Sequence, residues 1–256
     1  MDAYEAARYL FGSANRLAVL WEIRDRAASP RDVADAVDVS RATAQRCLRT
    51  CSEHGWVERA DGGYRLTAIG DRVIERCLSL VSDLTVLDDQ ERLLEDLPRF
   101  EPSLPLAPLA SADVVAATSA QPHRAAQSFA DHVRESDSAW YRCVAPAMSQ
   151  LFIDAFSEKL AGGAMIELVC SEAVLDAERE TRPANVTQSL DRPGFELYVR
   201  PDDVDYSLVL TDREVFVGAT DGTRAMTVGA WSADERLYEW ANDRYVRERA
   251  RAERVP

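Results

Sequence analysis

Residues 29–66 read SPRDVADAVDVSRATAQRCLRTCSEHGWVERADGGYRL, and the architecture of the amino-terminal part of the chain follows from them. Ser29 is placed to cap a helix that starts at Pro30, where the missing N–H costs nothing, and Asp32 stands three residues on, in capping-box register. That short helix buries Val33, Ala34 and Val37. Asp38 and Val39 make a tight turn. Ser40 then caps a second helix whose Ala44, Cys47, Leu48 and Cys51 recur at the three- and four-residue spacing of one inward face. The outward face is left with Arg41, Ala42, Thr43, Gln45, Arg46 and Arg49. Beyond Gly55, the runs Trp56–Arg59 and Tyr64–Leu66 flank Asp61-Gly62-Gly63, which predicts a β-hairpin with the Asp-Gly turn that such hairpins prefer.

Helix, turn, helix and hairpin in this order predict a winged helix-turn-helix. At these residues the chain resembles the ArsR-like and MarR-like winged-helix regulators of archaea and bacteria, and that resemblance implies double-stranded DNA as a partner. The candidate contacts are Arg41, Gln45 and Arg46 to base edges in the major groove, Ser40, Thr43 and Arg49 to phosphate, and Arg59 and Arg65 in the wing to phosphate or the minor groove. A winged helix used only for protein contact would not need three arginines beside Thr and Gln on its surface helix.

Charge is unevenly distributed. The chain of 256 residues carries a net −14, yet residues 1–76 hold twelve acidic residues and twelve arginines, so the whole excess of acid lies further on. Among thirty basic residues only Lys159 is a lysine. This balance resembles proteins of salt-adapted archaea, whose molar-salt interior has a Debye length of about 3 Å and lets an acidic surface approach DNA. A GC-rich genome is the competing explanation. No apolar run approaches the ~20 residues of a membrane span, and the start of the chain lacks the basic stretch of a signal peptide, so a cytoplasmic protein is expected. Five cysteines at irregular spacing imply no disulfide framework. Cys47 and Cys51, with His54 close behind, are read as core thiols and not as a metal site, because further ligands are missing nearby. No cofactor motif occurs.

Outside the signature, residues 4–11 predict a short amphipathic helix and residues 15–23 the first long helix of the winged domain. After the wing, Thr67 caps a helix whose Ile69, Val73, Cys77, Leu80, Leu84 and Leu87 form a coiled-coil-like seam, which predicts a homodimer. Four prolines from Pro98 to Pro108 predict a joint. The expected domains are therefore 1–97 (winged helix with dimerisation helix), 98–111 (linker) and 112–256.

The last of these reads as alternating strands and helices, hence α/β with a mainly parallel sheet: a buried strand at 113–117, helix 124–135, strand 138–144, helix 149–160, strand 166–170 and a strand at 196–199 after a polar helical region. A hairpin follows at 206–218, then an edge strand at 224–230 and a closing helix at 234–249 that buries Leu237, Trp240, Ala241 and Tyr245.

VVAATSAQPH (114–123), DYSLVLTDREVFVGAT (205–220) and EWANDRY (239–245), following the winged domain and the prolines, resemble the archaeal FilR middle-domain family of transcriptional regulators. In outline the late hairpin is also similar to phospholipase-D-like folds and to the sensor domain of TrmB-type regulators. The enzymes of that outline carry His and Lys two apart on this strand. Here Asp205 and Ser207, or Tyr206 and Leu208, stand there, so a non-enzymatic protein is expected. Loops at strand carboxyl ends are where α/β sheets bind ligands, and Thr118, His123 and Tyr206 are the candidate contacts for a small polar effector. Two rival classes remain: a phosphodiesterase or nuclease targeted by its winged helix, and a protein-binding scaffold.

Overall fold

The computed structural model describes residues 2–256, with Met1, the first residue of the stretch read for a signal peptide, lying outside them. The chain divides between Leu84 and Thr85 into two units.

The first unit holds α1 (Ala3–Phe11), α2 (Ala14–Glu22), α3 (Pro30–Val37), α4 (Arg41–Glu53), β1 (Val57–Ala60), β2 (Gly63–Leu66) and most of α5 (Ala68–Asp89). Both helix starts are built as the sequence implies. Ser29 and Asp32 form the reciprocal capping box, and the Ser40 hydroxyl accepts the Thr43 N–H at 3.1 Å. Asp38 closes α3 in the left-handed region at φ 54°, a conformation that Asp tolerates better than most residues. Ala60 pairs with Gly63 across the two-residue turn Asp61-Gly62. Gly63 is required for a different reason: a Cβ there would lie 2.0 Å from the Ala28 carbonyl oxygen, where Ala28 forms an isolated antiparallel bridge to Tyr64. The core comprises Leu17, Val19, Leu20 and Ile23 from α2, Val33 and Ala34 from α3, Ala44, Cys47, Leu48 and Cys51 from α4, Trp56 and Val57, and Ile74 and Cys77 from α5.

That last contribution corrects the expected seam. Cys77 is buried in the unit's own core with Val73 packed against it, so only Ile69, Leu80 and Leu84 of the seam's first-unit positions are exposed to a partner.

The second unit is built on an eight-stranded sheet. Its elements are the end of α5, α6 (Glu91–Asp96), a 3-10 turn at Ala107–Ser111, β3 (Asp113–Ala116), α7 (Arg124–Glu135), β4 (Trp140–Val144), α8 (Gln150–Ala161), β5 (Met165–Ser171), α9 (Glu172–Thr181), α10 (Pro183–Leu190), β6 (Phe195–Arg200), β7 (Tyr206–Leu210), β8 (Val215–Thr220), β9 (Met226–Ser232), α11 (Glu235–Ala250) and β10 (Glu253–Arg254). The strand order is β10-β6-β5-β4-β7-β8-β9-β3.

The sheet is mixed, not mainly parallel: only β4 with β5 and β5 with β6 pair in parallel. The physical reason is insertion. β3, β4, β5 and β6 all run one way, as strand–helix alternation requires, but the meander β7-β8-β9 enters between β4 and β3, so β3 finds β9 as an antiparallel neighbour. For the same reason β9 is internal, with five of its seven residues from Val228 to Ser232 buried in an unbroken run, where an edge strand was expected. The edges are β3 and the two-residue β10.

Side-chain alternation splits the core into two faces. On one, Tyr206, Leu208, Leu210, Val217 and Val228 meet Leu237, Trp240, Ala241 and Tyr245 of α11. On the other, Cys143, Val209, Phe216 and Trp231 meet α7 and α8. The proline-rich segment expected as a linker belongs to the first face. Prolines stop it from forming helix or ladder, yet Phe100 packs edge-on to Tyr206 and Trp240, Leu109 is buried, and the Pro102 carbonyl accepts the Trp240 indole N–H at 3.1 Å. Residues 85–111 therefore belong to the second unit, and the boundary lies inside α5.

Candidate nucleic-acid interface and ligand sites

α4 presents Arg41, Gln45, Arg46 and Arg49 on its exposed face, opposite the buried Ala44, Cys47, Leu48 and Cys51. Neither Arg41 nor Arg46 forms an ion pair among the described residues. Arg49 lies 3.7 Å from Glu53, a solvent-exposed pair one turn on and so one that a phosphate displaces at little cost. Ser40 and Thr43 serve the helix itself: their hydroxyls lie 2.8 Å apart in the cap, beside the free amide groups of the first turn, which favour an anion. In the wing, β1 and β2 place Arg59 opposite Tyr64 and Arg65 opposite Glu58. The two arginines therefore point to opposite faces. Arg65 is held by Glu58 at 2.7 Å, whereas Arg59 lies over the Tyr64 ring at 5.6 Å.

Cys47 and Cys51 are both buried. A hydrogen bond from the Cys51 thiol holds Cys47 down at about 7, while the same bond and burial push Cys51 up. His54 packs against Trp56 with ring centroids 4.5 Å apart and the rings tilted by 30°. Among the described residues, no group of three or more His, Cys, Asp or Glu side chains is arranged to take a metal ion.

At the carboxyl ends of β4, β5 and β6 the loops are tied to one another and to the turn between β8 and β9. The Asp203 carboxylate accepts Ser171 Oγ at 2.9 Å and Arg224 at 2.9 Å, and Arg224 also reaches the Pro146 carbonyl at 3.1 Å. The Ser171 bond, with Arg224 beside it, holds the Asp203 carboxyl below its ordinary range.

The structure does not assemble the three expected effector contacts. Thr118 and His123 are exposed, and His123 lines an open polar groove along α7 with Asp113, Gln121 and His132. Tyr206 is excluded from that rim. Its side chain lies on the other face of the sheet, 2% exposed, where its hydroxyl donates to Glu248 at 2.9 Å and accepts from Arg244 at 2.8 Å. Burial pushes its phenol up. Tyr206→Phe is thus expected to lower stability by about 1.5–3 kcal/mol, the loss of a hydrogen bond to a charged group, and to leave any ligand affinity unchanged. Chemical denaturation beside a ligand titration checks both halves.

Two features were not foreseen. His132 bridges to Glu214 at 2.6 Å and stacks on Trp231 at 4.1 Å. An apolar cavity of about 130 Å³ lies beneath α8 and α10 at the rim end of β4 and β7, with Ser207 on its floor. Asp205, by contrast, is exposed.

Taken separately, the two units define a winged-helix protein that carries a mixed α/β domain. The chain belongs to the family of the methanogenesis regulatory protein FilR1, whose middle-domain model matches residues 122–251; the HVO_A0261 N-terminal domain model matches residues 4–89. No curated protein matches the chain. Among solved structures it is similar to TrmBL2, an archaeal chromatin protein, at 15% identity over 97% of each chain with a TM-score of 0.40. Nuc, a phospholipase D family member from Salmonella typhimurium, matches at 11% identity over 57% of this chain and 99% of its own, with a TM-score of 0.45. Phosphatidylserine synthase of Haemophilus influenzae matches at 9% identity over 57% and 39%, with a TM-score of 0.40. Among the described residues no helix is long and apolar enough to cross a membrane.

Proposed function

We propose that this chain is a dimeric, DNA-binding transcriptional regulator whose second unit senses a small molecule and does no chemistry on it. The observation that carries the reading is the exposed face of α4: Arg41, Gln45 and Arg46 stand on a capped helix whose opposite face is locked into the core, with Arg59 in the wing. Side chains of these types make the bidentate contacts that distinguish bases in the major groove. The family's description as a regulatory protein supports the same reading. Its test is selection of bound duplexes from a random-sequence pool by the full chain. Recovery of one sequence motif supports the proposal, and unselective recovery opposes it. Because the acidic balance suits a salt-adapted cell, the selection is run at molar as well as at low salt. Working on the genome places the protein in the cytoplasm.

A second copy of the chain is the proposed occupant of the exposed α5 ridge. Leu80 and Leu84 are 46% and 55% exposed on a 22-residue helix, at the four-residue spacing of a two-helix seam, and Ile69 extends the ridge toward the start of the helix. Dimers also suit operators with two half-sites. Leu80→Asp with Leu84→Asp is expected to give monomers, because two charges in an apolar seam remove its buried area and add desolvation cost. Light scattering that still reports dimers would move the interface off this helix.

A non-enzymatic second unit is supported by the residues at its hairpin: where phospholipase-D-like enzymes carry His and Lys, this chain offers Asp205 and Ser207, or Tyr206 and Leu208, and none of these supplies an imidazole nucleophile or a fixed cation. A phosphodiesterase assay with the full chain is expected to show no turnover.

A further inference from the structure

We propose that the cavity beneath α8 and α10 is the effector site of the second unit, and that it takes a small, uncharged, mainly apolar molecule carrying a single hydroxyl or carbonyl group. The proposal rests on the sensing role given above only for its regulatory meaning; the site itself rests on geometry.

Packing is the first argument. α7 and α8 lie in the same layer against the same sheet, and α7 buries Ala125, Phe129, Ala130 and Val133 completely. α8 is richer in large apolar residues, yet only Ala155 is fully buried. Phe152, Ile153, Phe156 and Leu160 stay half-buried: Phe152, Phe156 and Leu160 pack against the core on one side, and all four border the cavity. Large apolar side chains that touch the core and still leave a gap beside it keep apolar surface to offer a ligand.

Chemistry of the lining is the second. The volume, about 130 Å³, is close to that of an engineered Leu/Ile/Phe-lined cavity of about 150 Å³ that admits benzene. One carboxylate borders it, Glu178, but that group is held by Arg182 at 2.5 Å, and Arg182 is also engaged by the Met148 carbonyl and Gln150. Among the described residues no unpaired cation lines the cavity, so an anionic ligand has nothing to compensate its desolvation.

Ser207 is the third. β7 alternates its side chains, so Tyr206 and Leu208 enter the α11 face while Ser207 points to the cavity floor, 6% exposed. Its hydroxyl makes no hydrogen bond among the described residues. A nearly buried hydroxyl without a protein partner is the polar group that orients a ligand in an otherwise apolar pocket.

The test uses the full chain labelled with 13C at the methionine methyl groups. Met148 and Met226 line the cavity, whereas Met165 is 59% exposed elsewhere. Titration with p-cresol or 1-hexanol is expected to shift the Met148 and Met226 signals in a saturable way and to leave Met165 in place, while hexanoate shifts none of them. Ser157→Phe and, independently, Ser189→Phe project a ring into the cavity from α8 and α10 and are each expected to weaken binding at least about tenfold; Ser207→Ala is expected to weaken p-cresol by about the same factor and toluene hardly at all. Two filling variants guard against one that fails to fold. Absence of Met148 and Met226 shifts with both neutral probes, equal shifts at Met165, or equal affinity for hexanoate overturns the site. Saturable binding that leaves DNA affinity unchanged upholds the site and overturns the sensing role instead.

Discussion

Replacing Arg41 and Arg46 together by alanine is expected to abolish sequence-specific DNA binding while the protein stays folded. Each side chain that reads a base edge discriminates by about 1–3 kcal/mol. Loss of two therefore costs about 2–6 kcal/mol, a fall in affinity of roughly 30-fold to 10⁴-fold. Folding is spared because both residues are exposed and neither is in an ion pair, while the inward residues of α4 are untouched. Arg49→Ala should behave differently. As a phosphate contact it weakens all duplexes alike and reduces the salt dependence of binding by about one phosphate's worth. Fluorescence anisotropy with a selected duplex and a scrambled one, together with a thermal melt, separates the two effects. A double variant that keeps its preference for the selected duplex would remove α4 from the groove.

The second large effect lies far from DNA. Glu248 of α11 is fully buried and gathers three donors: Arg200, the Tyr206 hydroxyl at 2.9 Å and Arg244 at 2.7 Å. Arg200 is itself nearly buried, and its Nε has no partner. Glu248→Ala leaves that guanidinium with only the long 3.5 Å contact to the exposed Asp202, and breaking a buried pair in this way typically costs about 3–5 kcal/mol. The urea midpoint of the second unit should fall at constant m-value, with the winged unit unaffected. Arg200→Met in the same background should restore part of the loss, because removing both charges is less costly than stranding one. If Glu248→Ala alone is neutral, the network does not hold α11 to the sheet.

Local chemistry made the winged unit legible. Ser29-Pro30 with Asp32, Ser40, and Asp61-Gly62 each act within a few residues, so the caps and the wing turn follow from the sequence directly. In the second unit the helices and strands were placed to within a few residues for the same reason. What remained hidden depends on partners distant in the chain. Strand direction for β3 was right, but its neighbour is β9, the last strand of a meander, which lies more than a hundred residues later. Segment 98–111 has prolines that exclude regular structure, and prolines say nothing of whether Phe100 and Leu109 will find a core. Tyr206 was misplaced by one step of strand alternation: a shift of one residue exchanges Tyr206 for Ser207 between the two faces of the sheet. With it the candidate ligand site moves from a polar rim to an apolar cavity. No spacing in the sequence announces that cavity, since its lining is gathered from residues as far apart in the chain as Phe129 and Met226. The run of large apolar residues in α8, Leu151, Phe152, Ile153, Phe156 and Leu160, was the one available signal.

The central claim is that this protein reads DNA sequence through α4, and the most direct measurement is genome-wide recovery of the DNA crosslinked to it in its own cell. The expected result is a reproducible, limited set of sites, each with two related half-sites about 10 base pairs apart or a multiple of that spacing, lost in the Arg41→Ala, Arg46→Ala variant. Uniform recovery along the genome, or a set of sites that the variant still occupies, would contradict it.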